Sequence, residues 1–207
     1  MSIQDAYDDW SASYDRDENL TRDLDRLVTQ QALGNRAVNT VLEAGCGTGK
    51  NTQFFAATGR RVCAMDFSRG MMEIARAKIQ TTNLDFVLAD ITRPWPCEAN
   101  AFNLVSCNLI LEHIRELPPV FSEAARVLAR DGTFFICELH PFKQYQGRKA
   151  VFSREAGEIE IEAFVHHISD FTRAAATAGL NLIQLNEHWH ELDEGKPPRL
   201  VSFLFGK

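Results

Sequence analysis

No run of apolar residues in this 207-residue sequence approaches the roughly 20 that a membrane-spanning helix requires. The start is no secretory leader either: Met1 to Asp9 is polar and acidic, with no apolar stretch behind a basic end. Both absences predict a cytoplasmic protein with no membrane partner. Positive charge is in deficit, with 22 Lys and Arg against 28 Asp and Glu and a net charge of -6. Nucleic-acid binders present a basic face that displaces counterions from phosphates. The two basic clusters, Arg60-Arg61 and Lys143 to Lys149, lack the repeated aromatics of a stacking platform and read as solvated loop charge. No nucleic-acid partner is expected. Cysteine is sparse, five residues with no C-x-x-C pair. An odd count with several members inside apolar runs suits buried reduced thiols, not a disulfide or zinc framework. Internal repeats, low-complexity tracts and linkers are also missing, which leaves one domain, long enough to bury a substantial core.

What is present is an alternation of short apolar strands and amphipathic helices. Strands are expected over 38–42, 61–65, 84–88, 101–107 and 132–139, with helices over 51–58, after Ser68, and over 120–129. Ser68 is a good N-cap for a helix carrying Met71, Met72, Ile74, Ala75 and Ile79. Such a pattern builds a parallel sheet covered on both faces, whose ligands sit beyond the carboxyl ends of the strands. The last third differs. Residues 158–165 alternate Ile159, Ile161, Ala163, Val165 against Glu158, Glu160, Glu162, which predicts a half-exposed strand, with a hairpin formed from Ala150 to Phe152 across Gly157. A helix over 169–178 and strands over 180–185 and 200–205 complete the chain.

The first strand runs into Glu43-Ala44-Gly45-Cys46-Gly47-Thr48-Gly49. Glycines there let the backbone turn sharply and leave no Cβ where a ligand must come close. A dinucleotide fingerprint requires glycine at position 50, which is Lys50. A phosphate-binding loop requires glycine at 44 and Ser or Thr at 51, which are Ala44 and Asn51. Both patterns fail. What fits is E-x-G-x-G-x-G with Asp66 at the end of the next strand, at the spacing that suits ribose hydroxyls. Asp90 follows the third strand. Each acid also has a structural reading, Asp66 as a helix cap and Asp90 as a turn residue.

These runs, with Asp66-Phe67-Ser68-Arg69-Gly70-Met71-Met72, Ala89-Asp90, Phe102-Asn103-Leu104-Val105 and Arg126-Val127-Leu128 before Gly132, resemble the class I S-adenosylmethionine-dependent methyltransferases across essentially the whole chain. Glu43 stands where that family usually has Asp. The resemblance implies a doubly wound, mostly parallel seven-stranded α/β sheet with an antiparallel C-terminal strand. It also implies a helical lid (1–36), a donor-binding core (37–139), a substrate cover (140–167) and a C-terminal helix and strand pair (168–207). S-adenosylmethionine is the implied cofactor, S-adenosylhomocysteine the product, with no metal required. Backbone at Gly45 and Gly47, with Glu43, would hold the methionine end, Asp66 the ribose, and Phe67 and Met71 the adenine. Asp90, flanked by Ala89 and Ile91, would sit by the adenine amino group, and Asn108 with Leu109 by the methionine ammonium.

A sulfonium already activates its methyl group, so the protein must align donor and nucleophile in line and exclude water. A neutral alcohol or amine also requires a base. His113, in a segment similar to the family's stretch after strand four, is the first candidate, followed by His140 after strand five and His167 after the acidic strand. His113 bonded to backbone at a helix start is the competing reading. His188 and His190 read as packing residues. Glu112, His113 and Glu116 do not suit a metal, because neighbours on a helix point different ways. Tyr7, Trp10 and Tyr14 share one helical face, either packing on the body or forming a lid similar to that of small-molecule methyltransferases, with Tyr7 and Trp10 toward the acceptor and Tyr14 toward the donor. The place after strand four reads Asn108-Leu109-Ile110-Leu111, not the [DNS]-P-P-[YF] of adenine or glutamine enzymes, and Pro96-Cys97 precedes that strand, unlike the nucleophile of cytosine enzymes. A small-molecule acceptor, methylated at O, N or C by a monomer or homodimer, is the expectation. A methyltransferase-like module that binds donor or product and regulates a partner, and a nucleotide-dependent dehydrogenase, stay open as alternatives.

Overall fold

In the computed structural model, which describes residues 2–36, 38–147, 151–154 and 157–207, two helices precede the first strand. Helix α1 (Ile3–Tyr14) opens on a capping box: Ser2 Oγ accepts from Asp5 N, and the Asp5 carboxylate accepts from Ser2 N, both at 3.1 Å. Helix α2 (Leu20–Leu33) is capped by Asn19, whose Oδ1 accepts from the amides of Thr21 and Arg22. Then follow β1 (Thr40–Ala44), α3 (Thr52–Thr58), β2 (Arg61–Asp66), α4 (Arg69–Lys78), β3 (Leu84–Leu88), β4 (Phe102–Asn108), α5 (Leu117–Val127) and β5 (Leu128–Leu139). After them come α6 (Pro141–Tyr145), the antiparallel pair β6 (Val151–Arg154) and β7 (Gly157–Glu160), α7 (Ile168–Thr177), β8 (Asn181–His188) and β9 (Leu200–Gly206).

Seven strands form one sheet in the order β3-β2-β1-β4-β5-β9-β8, parallel except for β9, which pairs antiparallel with both neighbours. Alternation along each strand divides the core. Leu42, Val105, Phe134 and Ile136 pack with α5 and α7 on one face. Val41, Leu104 and Phe135 pack with Leu24, Val28 and Leu33 of α2 and Phe55 of α3 on the other. Strands buried on both sides read as continuous apolar runs, which is why the sequence displayed them. The order reverses between β1 and β4, so their carboxyl ends part there and leave a crevice.

Helix α1 lies across α4 instead of joining a sheet face, with Ala6 and Trp10 packed on Met71 and Ile161. Asp8 Oδ1 accepts from Ser68 Oγ at 2.5 Å and from Gly70 N at 3.0 Å, so one α1 carboxylate caps the start of α4. A Cβ at Gly70 would stand 2.8 Å from Ser11 Oγ and 3.1 Å from the Asp8 carbonyl oxygen, which shows how closely the two helices approach.

Several expected boundaries move, two of them by four residues or more. The fifth strand begins at Leu128, earlier than 132, and its register against β4 shifts between Phe102 and Leu104. The acidic alternating strand ends at Glu160, not 165. Beyond it the backbone bonds to the segment after β4, Phe164 N to the Glu112 carbonyl at 2.6 Å, so no strand partner forms and Val165 faces solvent. The hairpin is present over the described residues, with Ala150 outside them. All five cysteines are free, and only Cys97 is less than fully buried. Among the described residues no helix is long and apolar enough to cross a membrane.

Candidate functional site

The glycine turn sits at the β1 side of the crevice. Gly45 N and Cys46 N both donate to the Met65 carbonyl oxygen, at 2.8 and 2.9 Å, which ties the turn to the end of β2. Gly45 has φ +82°, and a Cβ there would lie 2.6 Å from two carbons of the Ile110 side chain. Gly47 has φ +52°, and a Cβ there would meet nothing within 4 Å, because it would project into open space.

Gly47 lines a cavity of about 490 Å³, within the range of small-molecule sites. Glu43, Gly45 and Gly47 line it from β1 and its turn, and Asp66, Phe67 and Met71 from β2 and α4. Ala89, Asp90 and Ile91 line it after β3, and Asn108, Leu109 and His113 after β4. Tyr7 and Tyr14 reach it from α1, and Glu162 from the segment after β7. Residues scattered over the chain thus converge on the carboxyl edge of the sheet.

Asp66 is buried, with Oδ2 accepting from Gly47 N at 2.7 Å and Oδ1 from Ser68 N at 2.8 Å. Burial pushes its pKa up and the amides hold it back. The N-cap of α4 is not Asp66 but Ser68, whose Oγ accepts from Met71 N; Asp66 lines the cavity from the end of β2. Asp90 is also a turn residue, since its Oδ1 accepts from Thr92 N and Oγ1. Glu43 accepts from Thr52 Oγ1 at 2.5 Å. Burial drives its pKa to about 8, with the charges of Asp25 and Asp66 adding to the rise. Such a carboxyl is protonated in the native state while the unfolded chain ionises near 4.5, so stability is present below about 4.5 and is lost as pH rises toward 8. Glu43→Gln is expected to flatten urea-unfolding stability between pH 5 and 8 by about 1 kcal/mol per pH unit. Parallel profiles for the two proteins would refute that assignment.

Arg22, Asp25 and Asn51 are among the lining residues that escaped the sequence reading. Asp25 of α2 is buried and accepts from Asn108 Nδ2 at 2.6 Å and from Asn51 Nδ2 at 2.8 Å. Arg22, one turn earlier, lies 4.0 Å from the centroid of the Tyr14 ring and donates to the Tyr14 and Asp17 carbonyls. Its Nε is buried and has no partner, and neither has Asn51 Oδ1, while other atoms of both residues line the cavity. The only signal was the i, i+3, i+7 spacing of Arg22, Asp25 and Thr29, which on a helix of unknown orientation reads as a solvated face.

Of the three histidines expected as bases, the structure brings only His113 to the cavity. Its Nδ1 lies 2.8 Å from the Glu162 carbonyl oxygen and its Nε2 lies 2.8 Å from the Tyr7 hydroxyl. His140 caps α6: Nδ1 accepts from Phe142 N and Nε2 bonds Glu187. It follows β5, one strand beyond the crevice. His167 begins α7 and meets the Tyr145 hydroxyl. Trp10 does not line the cavity either; it packs beside the rings of Tyr7 and Tyr14, at 5.9 and 4.7 Å between centroids, and its indole nitrogen donates to Asp17. Among the described residues no group of three or more His, Cys, Asp and Glu is placed to hold a metal.

Residues 42–136 match the methyltransferase domain family. The chain is 33% identical over 137 residues to a demethylmenaquinone methyltransferase of Clavibacter sepedonicus, covering 64% of this chain and 56% of the relative. It is 28% identical over 202 residues to a malonyl-[acyl-carrier protein] O-methyltransferase of Methylovorus sp., covering 92% and 67%. The chain thus spans about half to two thirds of the length of such relatives. A crystal structure of a proposed S-adenosylmethionine-dependent methyltransferase from Listeria monocytogenes superposes with a TM-score of 0.78, at 18% identity, over 92% of this chain and 99% of that one.

Proposed function

From the premise that this chain carries a methyltransferase domain on the class I S-adenosylmethionine-dependent methyltransferase fold, we propose that it moves the methyl group of S-adenosylmethionine to a nucleophilic atom of a small-molecule acceptor. The observation that supports this best is the cavity, whose open space at Gly47, buried Asp66 carboxylate and unpartnered Arg22 Nε and Asn51 Oδ1 suit a nucleoside joined to a zwitterion. The donor supplies an activated methyl on a sulfonium. The chain supplies binding, alignment and exclusion of water.

In this reading Asp66 accepts from the ribose hydroxyls while keeping its bonds to Gly47 and Ser68. Phe67, Met71 and Ile91 give a flat ring apolar walls beside Asp90. Arg22 Nε meets the carboxylate of the amino-acid end, and Asn51 Oδ1 with Asp25 meets its ammonium. The Asn108 side chain is held by Asp25 and Thr29, which leaves its backbone and that of Leu109 toward the donor. Helix α1 and residues 161–167 serve as lid and cover, since both close over the acceptor side of the same cavity. Relatives named for quinone and malonyl-carrier methylation support a small acceptor.

The test is transfer of labelled methyl from S-adenosylmethionine into a host metabolite extract, with Asp66→Ala as control. A small labelled product formed by the intact protein alone is expected, and an intact protein that binds no donor would overturn the proposal. The roles at the amino-acid end are checked separately. Arg22→Met is expected to weaken S-adenosylhomocysteine roughly 10- to 100-fold by loss of a charge-assisted bond. It should leave 5′-methylthioadenosine, which lacks that end, within about three-fold; equal losses for both ligands would mean that Arg22 acts only through the fold.

A further inference from the structure

The histidine that reaches the cavity is not free to meet an acceptor. The Glu162 carbonyl oxygen only accepts, so His113 Nδ1 carries the proton there and the neutral Nε2 accepts from the Tyr7 hydroxyl. Tyr7 and His113 line the cavity side by side, the Tyr7 ring 5.5 Å from the imidazole and 6.2 Å from Phe67, and the Tyr7 oxygen keeps a lone pair for a second partner. Behind the imidazole, Glu112 Oε1 lies 3.8 Å from Nε2, so a positive charge arising on His113 would face a buried carboxyl. All three segments that close the cavity meet here: α1 through Tyr7, the turn after β4 through His113, and the cover through Glu162.

Resting on the methyl-transfer reading, we propose that Tyr7 is the group that touches the acceptor, that His113 is a positioning residue holding the proton behind it, and that the acceptor is a neutral hydroxyl. The acceptor oxygen forms its bond to the methyl carbon as the sulfur–methyl bond breaks and leaves its electron pair on sulfur. The hydroxyl proton passes to the Tyr7 oxygen while the Tyr7 proton passes to His113 Nε2, leaving an imidazolium still bonded through Nδ1 to Glu162. Burial pushes the Tyr7 phenol well above its ordinary range, so Tyr7 hands on a proton as it takes one and is not itself the final base. The relay also depends on closure. Tyr7 rides on α1, which is held down by Asp8 at Ser68 and Gly70 and by Gln4 at the Phe67 carbonyl, and it reaches His113 only while α1 is docked.

The first readout needs no turnover. In the protein loaded with S-adenosylhomocysteine, ¹⁵N NMR of labelled histidine is expected to show His113 protonated at Nδ1 and bare at Nε2. The Nε2 resonance should shift in Tyr7→Phe, while S-adenosylhomocysteine affinity changes by less than about three-fold. Methyl transfer to the extract component labelled by the intact protein should then fall by about 100-fold in Tyr7→Phe. In His113→Ala, added imidazole should restore part of the lost rate, which a purely structural role would not allow. A proton on Nε2, a Tyr7→Phe protein of normal turnover, or a labelled product methylated at carbon or nitrogen would overturn the relay. Failure of the intact protein to bind S-adenosylhomocysteine would instead overturn the donor reading.

Discussion

Replacing Asp66 by Ala is expected to weaken S-adenosylmethionine by at least about 100-fold, because the proposed donor site would lose two charge-assisted bonds to ribose together. The same change removes the acceptor of Gly47 N and Ser68 N, so the glycine turn and the start of α4 lose their common tie. Each buried amide left without a partner costs about 1–3 kcal/mol, and the melting temperature should fall as well. Asp66→Asn separates the effects. Its single carbonyl oxygen still accepts from one amide, so most stability should return while donor binding stays at least about 10-fold weakened. Calorimetric titration with thermal melts of both variants decides the matter. Donor affinity within three-fold of the intact protein in both variants would remove Asp66 from the donor site.

Gly45→Ala should produce the largest loss of stability of any change in the turn. At φ +82° an L side chain is strained by about 1–2 kcal/mol, and the new Cβ would stand 2.6 Å from Ile110 Cδ1 and Cγ2. Overpacking of that kind adds about 1–3 kcal/mol. For a chain of this length each kcal/mol lowers the melting temperature by about 2–4 °C, so a fall of roughly 5–15 °C is expected. Because the clash is with one side chain, Ile110→Ala should recover part of the loss when combined with Gly45→Ala, although alone it is destabilising. Gly47→Ala gives the contrast. Its Cβ meets no protein atom, so stability should fall by only about 1 kcal/mol while the donor is excluded from the space the Cβ enters. Additive melting temperatures for Gly45→Ala and Ile110→Ala would show that the steric account is wrong.

The parallel strands were legible because burial on both faces leaves near-continuous apolar runs such as Val62 to Met65, and the glycine turn because few backbones need alternate glycines after a strand. Gly45, Asp66, Asp90 and Asn108 were placed near one another by topology alone, since each lies at or just beyond the carboxyl end of a parallel strand. The segment after β7 was misread beyond Glu160. Its alternation at Glu158 to Val165 is real, but a strand also needs a partner, and this backbone bonds the turn after β4 instead. His140 stands just beyond β5 and His167 at the start of α7, and neither lines the cavity, which no local pattern records.

By itself the sequence determined the sheet, its order of strands and helices, and the turn and acids at its carboxyl edge, because these follow from short-range periodicity and backbone sterics. Only the tertiary structure decided which polar side chains face inward. It folded α2 so that Arg22 and Asp25 line the cavity, and it buried Trp10 against Met71 and Ile161 while bringing Tyr7 to His113 across 106 residues. Such placements depend on how helices rotate and dock against the sheet, a property of long-range packing that spacing along the chain does not contain.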